Sequence, residues 1–287
     1  MEHEFLCRGA RVRICNGRIE VLTKPAVCYC PYVESVYGIK SIDKHAVERI
    51  MRLKMEKYGL CSPHRCFETK VVVPFGSSEI ISTCMRRGLL DCAVTVCEGA
   101  GTVISWNSDL VQGIGARLTG ILKTSPIKEI VDYIKSNGGE ILNPDRALVD
   151  QPLGVKRAIS MGFKRIAVTV IGCNAKDITK IRNIQQRYKK VEIAIFSTCN
   201  TLVKEEDLVH LEKADVVCSS ASRLIRERIG PKAILQLGVS IPVFILTELG
   251  RRLAFTYLMN TDIKLVIFRA KMPYIVKDRQ PKLARDH

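Results

Sequence analysis

The chain is poor in aromatics, short of acids and without a long apolar run. Only 6% of its 287 residues are Phe, Trp or Tyr, and one is Trp. Basic stretches interleaved with stacking aromatics, the usual means of gripping single-stranded nucleic acid, are therefore missing. No apolar run reaches the ~18 residues that mark a membrane-crossing helix. Ile241 to Leu246 has the length of one buried strand. The opening MEHEFLCRGARVRIC carries early acids and no extended apolar core, so no secretory leader is expected and the chain reads as cytoplasmic. Familiar fingerprints are absent as well. There is no Gly-x-Gly-x-x-Gly opening a helix after the first strand and no Gly-Lys-Ser/Thr phosphate loop. No Gly-x-Ser-x-Gly elbow is present, and no paired Cys-x-x-Cys of a zinc ribbon.

Basic residues are plentiful. Lys and Arg number 45 against 29 Asp and Glu, giving +16. The excess is spread over residues 44–57, 176–190, 223–228 and the tail from Lys271, which fits a solvated basic surface better than a nucleic-acid groove. Nucleic acid is thus not an expected partner, whereas an acidic protein complex is a plausible one. Twelve cysteines are also present. A disulfide framework does not suit a cytoplasmic chain of this size, so the thiols read as buried small hydrophobes, reactive groups or ligands for zinc or an iron–sulfur cluster.

The hydrophobic pattern predicts an α/β fold: a mostly parallel sheet with helices on both faces, preceded by an N-terminal β-hairpin. Asn16-Gly17 between Arg11–Cys15 and Arg18–Leu22 is a type I′ hairpin signal. Residues 41–58 read as an amphipathic helix capped by Ser41 or Asp43 and closed by Gly59. Strands are expected at 71–73, 92–96, 140–142, 166–171, 191–196, 216–217, 233–237, 242–246 and 263–268. Most alternate with helices, while residues 98–125 read as irregular. Clustered Gly, Asn, Pro and Asp at 138–152 suggest two Rossmann-like lobes, 1–145 and 146–270, before a charged, mobile tail at 271–287. One continuous sheet is the alternative.

Two glycine-bearing turns mark the candidate site. Gly76-Ser77-Ser78 precedes a helix start, and Gly99-Ala100-Gly101-Thr102 follows an apolar run. Ligands of parallel sheets bind at the carboxyl ends of strands, and both turns suit an anion held by backbone amides. Gln112, Arg117 and Lys123 lie in the same stretch and supply polar or cationic contacts. Glu79 and Glu98 are candidate acid/base groups, and Cys97 a candidate thiol nucleophile. The alternative is that Glu79 answers a helix dipole, Glu98 is solvated, and the turns only pack. Cys97, Cys173, Cys199 and Cys218 all fall at predicted strand ends and would converge on one edge. Cys28, Cys30, Cys61 and Cys66, with His64 nearby, are the alternative metal-ligand set.

Phe75-Gly76-Ser77-Ser78-Glu79, Val96-Cys97-Glu98-Gly99-Ala100-Gly101-Thr102-Val103-Ile104, and Val111-Gln112-Gly113-Ile114-Gly115 with Lys123-Thr124-Ser125-Pro126 carry a resemblance. Together with Asp150-Gln151 and Gly154-Val155 they resemble methanogenesis marker protein 8, an archaeal family of mostly methane-producing organisms. The likeness covers about residues 8–258. It implies an accessory role in methanogenesis, with methyl-coenzyme M reductase or its maturation proteins as partners. It brings no established catalytic residues. An anion-binding accessory protein, a metallocluster carrier and a basic interaction module without a ligand are the three functions compatible with the chain.

Overall fold

The computed structural model describes residues 1–117 and 120–284. β1 (Glu2–Cys7) turns at Arg8-Gly9 into β2 (Ala10–Cys15), and β2 turns at Asn16-Gly17 into β3 (Arg18–Val21). Both turns place two successive residues at positive φ, as a type I′ turn requires. β4 (Val27–Tyr29) and α1 (Pro31–Tyr37) lead to α2 (Lys44–Tyr58). Asp43 caps α2 by accepting from the Ala46 amide at 2.7 Å, and Gly59 closes it in the left-handed conformation.

Then follow α3 (Ser77–Arg86), β5 (Cys92–Cys97), β6 (Gly101–Ser105), α4 (Ser108–Gly115), β7 (Gly120–Lys123), α5 (Lys128–Ser136) and β8 (Gly139–Ile141). The remainder is α6 (Gln151–Ser160), β9 (Arg165–Ile171), α7 (Lys176–Arg187), β10 (Glu192–Thr198), α8 (Leu208–Leu211), β11 (Val216–Cys218), α9 (Arg223–Arg228), β12 (Leu235–Leu237), β13 (Val243–Ile245), α10 (Glu248–Leu258) and β14 (Lys282–Leu283).

The central sheet runs β12-β13-β11-β10-β9-β5-β6-β8. β11, β10, β9 and β5 are mutually parallel, and the antiparallel neighbours leave only β6 and β13 reversed. Strands from both sides of residue 145 share this sheet, so the 138–152 stretch is a connection within one sheet. Its two faces differ in a way set by period-2 alternation. Ala93, Ala167 and Ala194 form one cross-strand row, and this small-residue face receives α3 and α10. The next row, Val94, Val168 and Ile195, packs under α6 and α7.

A second sheet, β3-β2-β1-β7, is antiparallel and packs against α2 through Phe5, Val12, Ile14, Val47, Ile50 and Met51. β7 joins β1, so a segment lying between two central-sheet strands ties the N-terminal layer to the main sheet.

Four expectations are corrected. Residues 71–73 are not a strand, because the Val72 and Val73 amides donate to Glu79 Oε1 at 3.2 and 3.1 Å. Residues 98–125 are not irregular: they hold β6, α4 and β7. No strand forms at 263–268, where Val266 and Ile267 stand in the open. The tail is not free up to Ala284. β14 pairs with β4, and the Ala284 amide donates to Ala26 O at 2.8 Å. Among the described residues no helix is long and apolar enough to cross a membrane.

Candidate site: a cation- and thiol-lined cavity

A cavity of about 690 Å³ opens between the N-terminal layer and the carboxyl ends of the parallel strands. Thr169 to Ile171 of β9, Thr198 at the end of β10 with Cys199 after it, and Cys218 of β11 form its floor. The Arg8-Gly9 turn, α2 and the start of α3 form the opposite wall. Its surface is mainly apolar, as in most small-molecule sites.

Three cations enter this wall. Arg8 lies 5.6 Å from the Tyr32 ring centre, and Arg117 lies 4.2 Å from that of Tyr58. Neither Nε has a hydrogen-bond partner among the described residues, although both are buried. Lys54 is 6% exposed and donates to Arg117 O at 2.8 Å. Burial pushes its ammonium down to about 8; the nearby Cys7 opposes the shift and Arg8 adds to it. Glu79 is the one carboxylate among the described wall residues.

Glu79 is already committed. Oε1 accepts from the Val72 and Val73 amides and from Gln112 Nε2 at 3.2 Å, and Oε2 accepts from Ser78 Oγ at 2.8 Å. A Cβ on Gly76 would fall 2.1 Å from Glu79 Oε2. The carboxylate therefore fills the α3 N-terminus that the sequence offered to a ligand, and Gln112 is held in the same network.

Cys97 and Glu98 lie outside the cavity wall. Glu98 is fully buried and pairs with Arg65 at 2.5 Å. Arg65 also donates to Cys66 O and, at 3.1 Å, to Ile114 O, and it lies 4.6 Å from the Phe67 ring centre. The Cys97 thiol donates to Glu98 O at 3.3 Å. Burial and then the Glu98 charge push that thiol well above its ordinary range, so it stays neutral.

The second glycine turn is the β5–β6 hairpin and not an open crest. A Cβ on Gly99 would fall 2.7 Å from Ile130 Cδ1, and one on Gly101 2.3 Å from Ala147 O. Ala100 is buried, and Thr102 Oγ1 donates to Gln151 at 2.9 Å. Because Gly99 sits at φ +79°, Gly99→Ala should cost about 1–3 kcal/mol in urea unfolding through strain and crowding. Ligand affinity of the folded fraction should stay unchanged.

Of the other sequence candidates, Ser77, Ser78 and Arg117 line the cavity, while exposed Lys123 pairs with Glu2 at 3.2 Å. Cys28 Sγ donates to the Lys282 and Leu283 carbonyls, each at 3.4 Å. Cys30 lines the cavity; Cys61 is half-buried, and burial raises its thiol. Cys66 is exposed. Among the described residues no group of three or more His, Cys, Asp or Glu is placed to hold a metal, so Cys28, Cys30, Cys61 and Cys66 are not gathered.

The strand-end thiols divide. Cys199 and Cys218 face the cavity, joined there by Cys7 and Cys30, whereas Cys97 belongs to the Arg65 cluster and Cys173 is exposed. Arg8 and Lys54 were not singled out from sequence. Lys54 had a readable signal: it stands four residues after Ile50, on the buried stripe of α2. Arg8, in a hairpin turn, gave none.

Residues 3–259 match a family described as an uncharacterized protein conserved in archaea, DUF2099. The uncharacterized protein MJ0054 of Methanocaldococcus jannaschii is 34% identical over 274 residues, spanning 95% of each chain. A chain of the F420-reducing nickel–iron hydrogenase complex from Methanosarcina barkeri is 13% identical with a TM-score of 0.35, over 64% of this chain and 72% of that one.

Proposed function

The chain belongs to the archaeal DUF2099 family, and from that premise we propose that it is an accessory protein of methanogenesis that holds an anionic small molecule or cofactor in the strand-end cavity. One observation carries the binding half: Arg8 and Arg117 face an apolar cavity whose one described carboxylate, Glu79, is already saturated. Two half-buried guanidinium groups with no acidic counterpart among the described residues favour an oxyanion that enters with the ligand. The methanogenesis half rests on the resemblance of the Gly76–Glu79, Cys97–Thr102 and Gln112–Gly115 stretches to marker protein 8. Methyl-coenzyme M reductase or its maturation proteins are the partners this reading names.

Anaerobic purification, denaturation and negative-mode mass spectrometry of the released small molecules test the reading. A single enriched organic anion is expected. Absence of any such anion, together with no saturable binding of anilinonaphthalene sulfonate to the native protein, contradicts it.

Lys54 sets the pH dependence. Its free pKa lies at about 8, and a bound anion raises it. Affinity is therefore full below pH 8 and falls as pH rises from there, by up to about tenfold per unit, until the bound-state pKa is passed. Contacts to Arg8 and Arg117 leave a residual affinity above that range. Fluorescence titration of the same sulfonate from pH 6 to pH 10 would show this, and a flat profile would exclude Lys54 from the anion site.

A further inference from the structure

Two free cysteines line the cavity floor. Cys218 ends β11 and Cys199 follows β10. The two strands are adjacent and parallel, with Ser197 opposite Val217. Cys199 thus stands one step beyond the residue opposite Cys218. A strand spacing of about 4.8 Å and a rise of about 3.3 Å place the two Cα atoms about 6 Å apart, within the window of roughly 4.4–6.8 Å that a disulfide spans. Asn200 fixes the neighbourhood: Nδ2 donates to Cys218 O at 2.8 Å, and its amide donates to Ser220 Oγ at 3.0 Å. Both thiols line the cavity that also receives Arg8, Lys54 and Arg117. Burial, then the neighbouring Cys218, pushes the Cys199 thiol up to about 11, while Lys54 and Arg8 oppose that rise.

We propose that Cys199 and Cys218 form a dithiol that exchanges with a small organic disulfide carrying an oxyanion, with the charge held on Arg8 and Arg117. The anionic part rests on the binding site proposed above; the dithiol part does not. Cys199 loses its proton and attacks one sulfur of the disulfide R–S–S–R′. The substrate S–S bond breaks, and R′S⁻ leaves and takes up a proton. Cys218 then loses its proton, attacks Cys199 Sγ of the mixed disulfide and expels RS⁻, which is protonated in turn. The products are a Cys199–Cys218 disulfide and two small thiols. Two electrons pass from the protein to the substrate, and the same steps reversed oxidise a pair of small thiols.

The test treats the native, fully reduced chain without oxygen with dithiobis(nitrobenzoate), a dianionic disulfide, or with neutral dipyridyl disulfide. Peptide mapping follows. A Cys199–Cys218 linked peptide, lighter by two hydrogens, is expected while Cys84, Cys92 and Cys97 stay free. The anionic probe should form it about tenfold faster or more, relative to its rate at exposed Cys15. Cys218→Ser should instead trap a mixed adduct on Cys199. If Cys199 and Cys218 stay unlinked while Cys15, Cys66 and Cys173 react, the dithiol is overturned, whatever the sulfonate titration shows. If the linked peptide forms equally fast with both probes, the dithiol stands and the anionic preference is overturned.

Discussion

Glu98→Ala should lower the unfolding free energy by about 3–5 kcal/mol, the largest single-residue loss expected in this chain. The substitution strands Arg65, whose side chain is 2% exposed, without its carboxylate. Guanidinium groups do not deprotonate in the accessible pH range, so the charge stays and must draw in water or move. Arg65 also holds the Cys66 and Ile114 carbonyls, which tie the loop after α2 to the end of α4. Urea unfolding of the single variants and of the Arg65→Met/Glu98→Leu double variant checks this. The double variant should recover most of the loss, because an apolar pair of similar volume removes the buried charge. A Glu98→Ala change below about 1 kcal/mol would show that the pair carries little.

The second large effect falls on binding and spares the fold. Arg8→Gln and Arg117→Gln should each weaken anilinonaphthalene sulfonate binding by about tenfold to a hundredfold, the loss of one charge-assisted contact. Among the described residues neither side chain has an acidic partner to strand, and each Nε is buried without a hydrogen bond. The unfolding free energy should therefore hold or rise. Loss of affinity with unchanged stability separates a ligand-facing arginine from a structural one. Stability lost in parallel with affinity would assign both arginines to packing.

The fold was legible where local chemistry is strong. Asn16-Gly17, Asp43, Gly59 and the regular alternation from Cys92 onward each report a turn, a cap or a periodicity, and the elements form there. The failures have physical causes. Val71–Val73 has strand composition, but a carboxylate six residues on captures its amides. β6 was hidden because Gly99 and Gly101 read equally well as a ligand cradle and as a hairpin turn, and only the contacts of Ile130 and Ala147 decide between them.

The candidate site was legible in position and less so in membership. Strand-end location names Cys97, Cys173, Cys199 and Cys218 together, whereas only Cys199 and Cys218, at the ends of adjacent parallel strands, line the cavity. It cannot tell that Glu79 folds back on its own helix, or that Glu98 finds Arg65 across a loop. Arg8 reaches the cavity only because β7 pairs with β1 and brings the first hairpin over the sheet ends. That long-range pairing leaves no mark in the residues around Arg8.

The most direct test of the central claim compares small molecules released from wild-type chain and from Arg8→Gln/Arg117→Gln, purified in parallel without oxygen. One organic anion should be enriched with the wild type and depleted from an equally stable double variant. An equal yield of the same anion from both proteins, or no anion from the wild type with no saturable sulfonate binding, would contradict it.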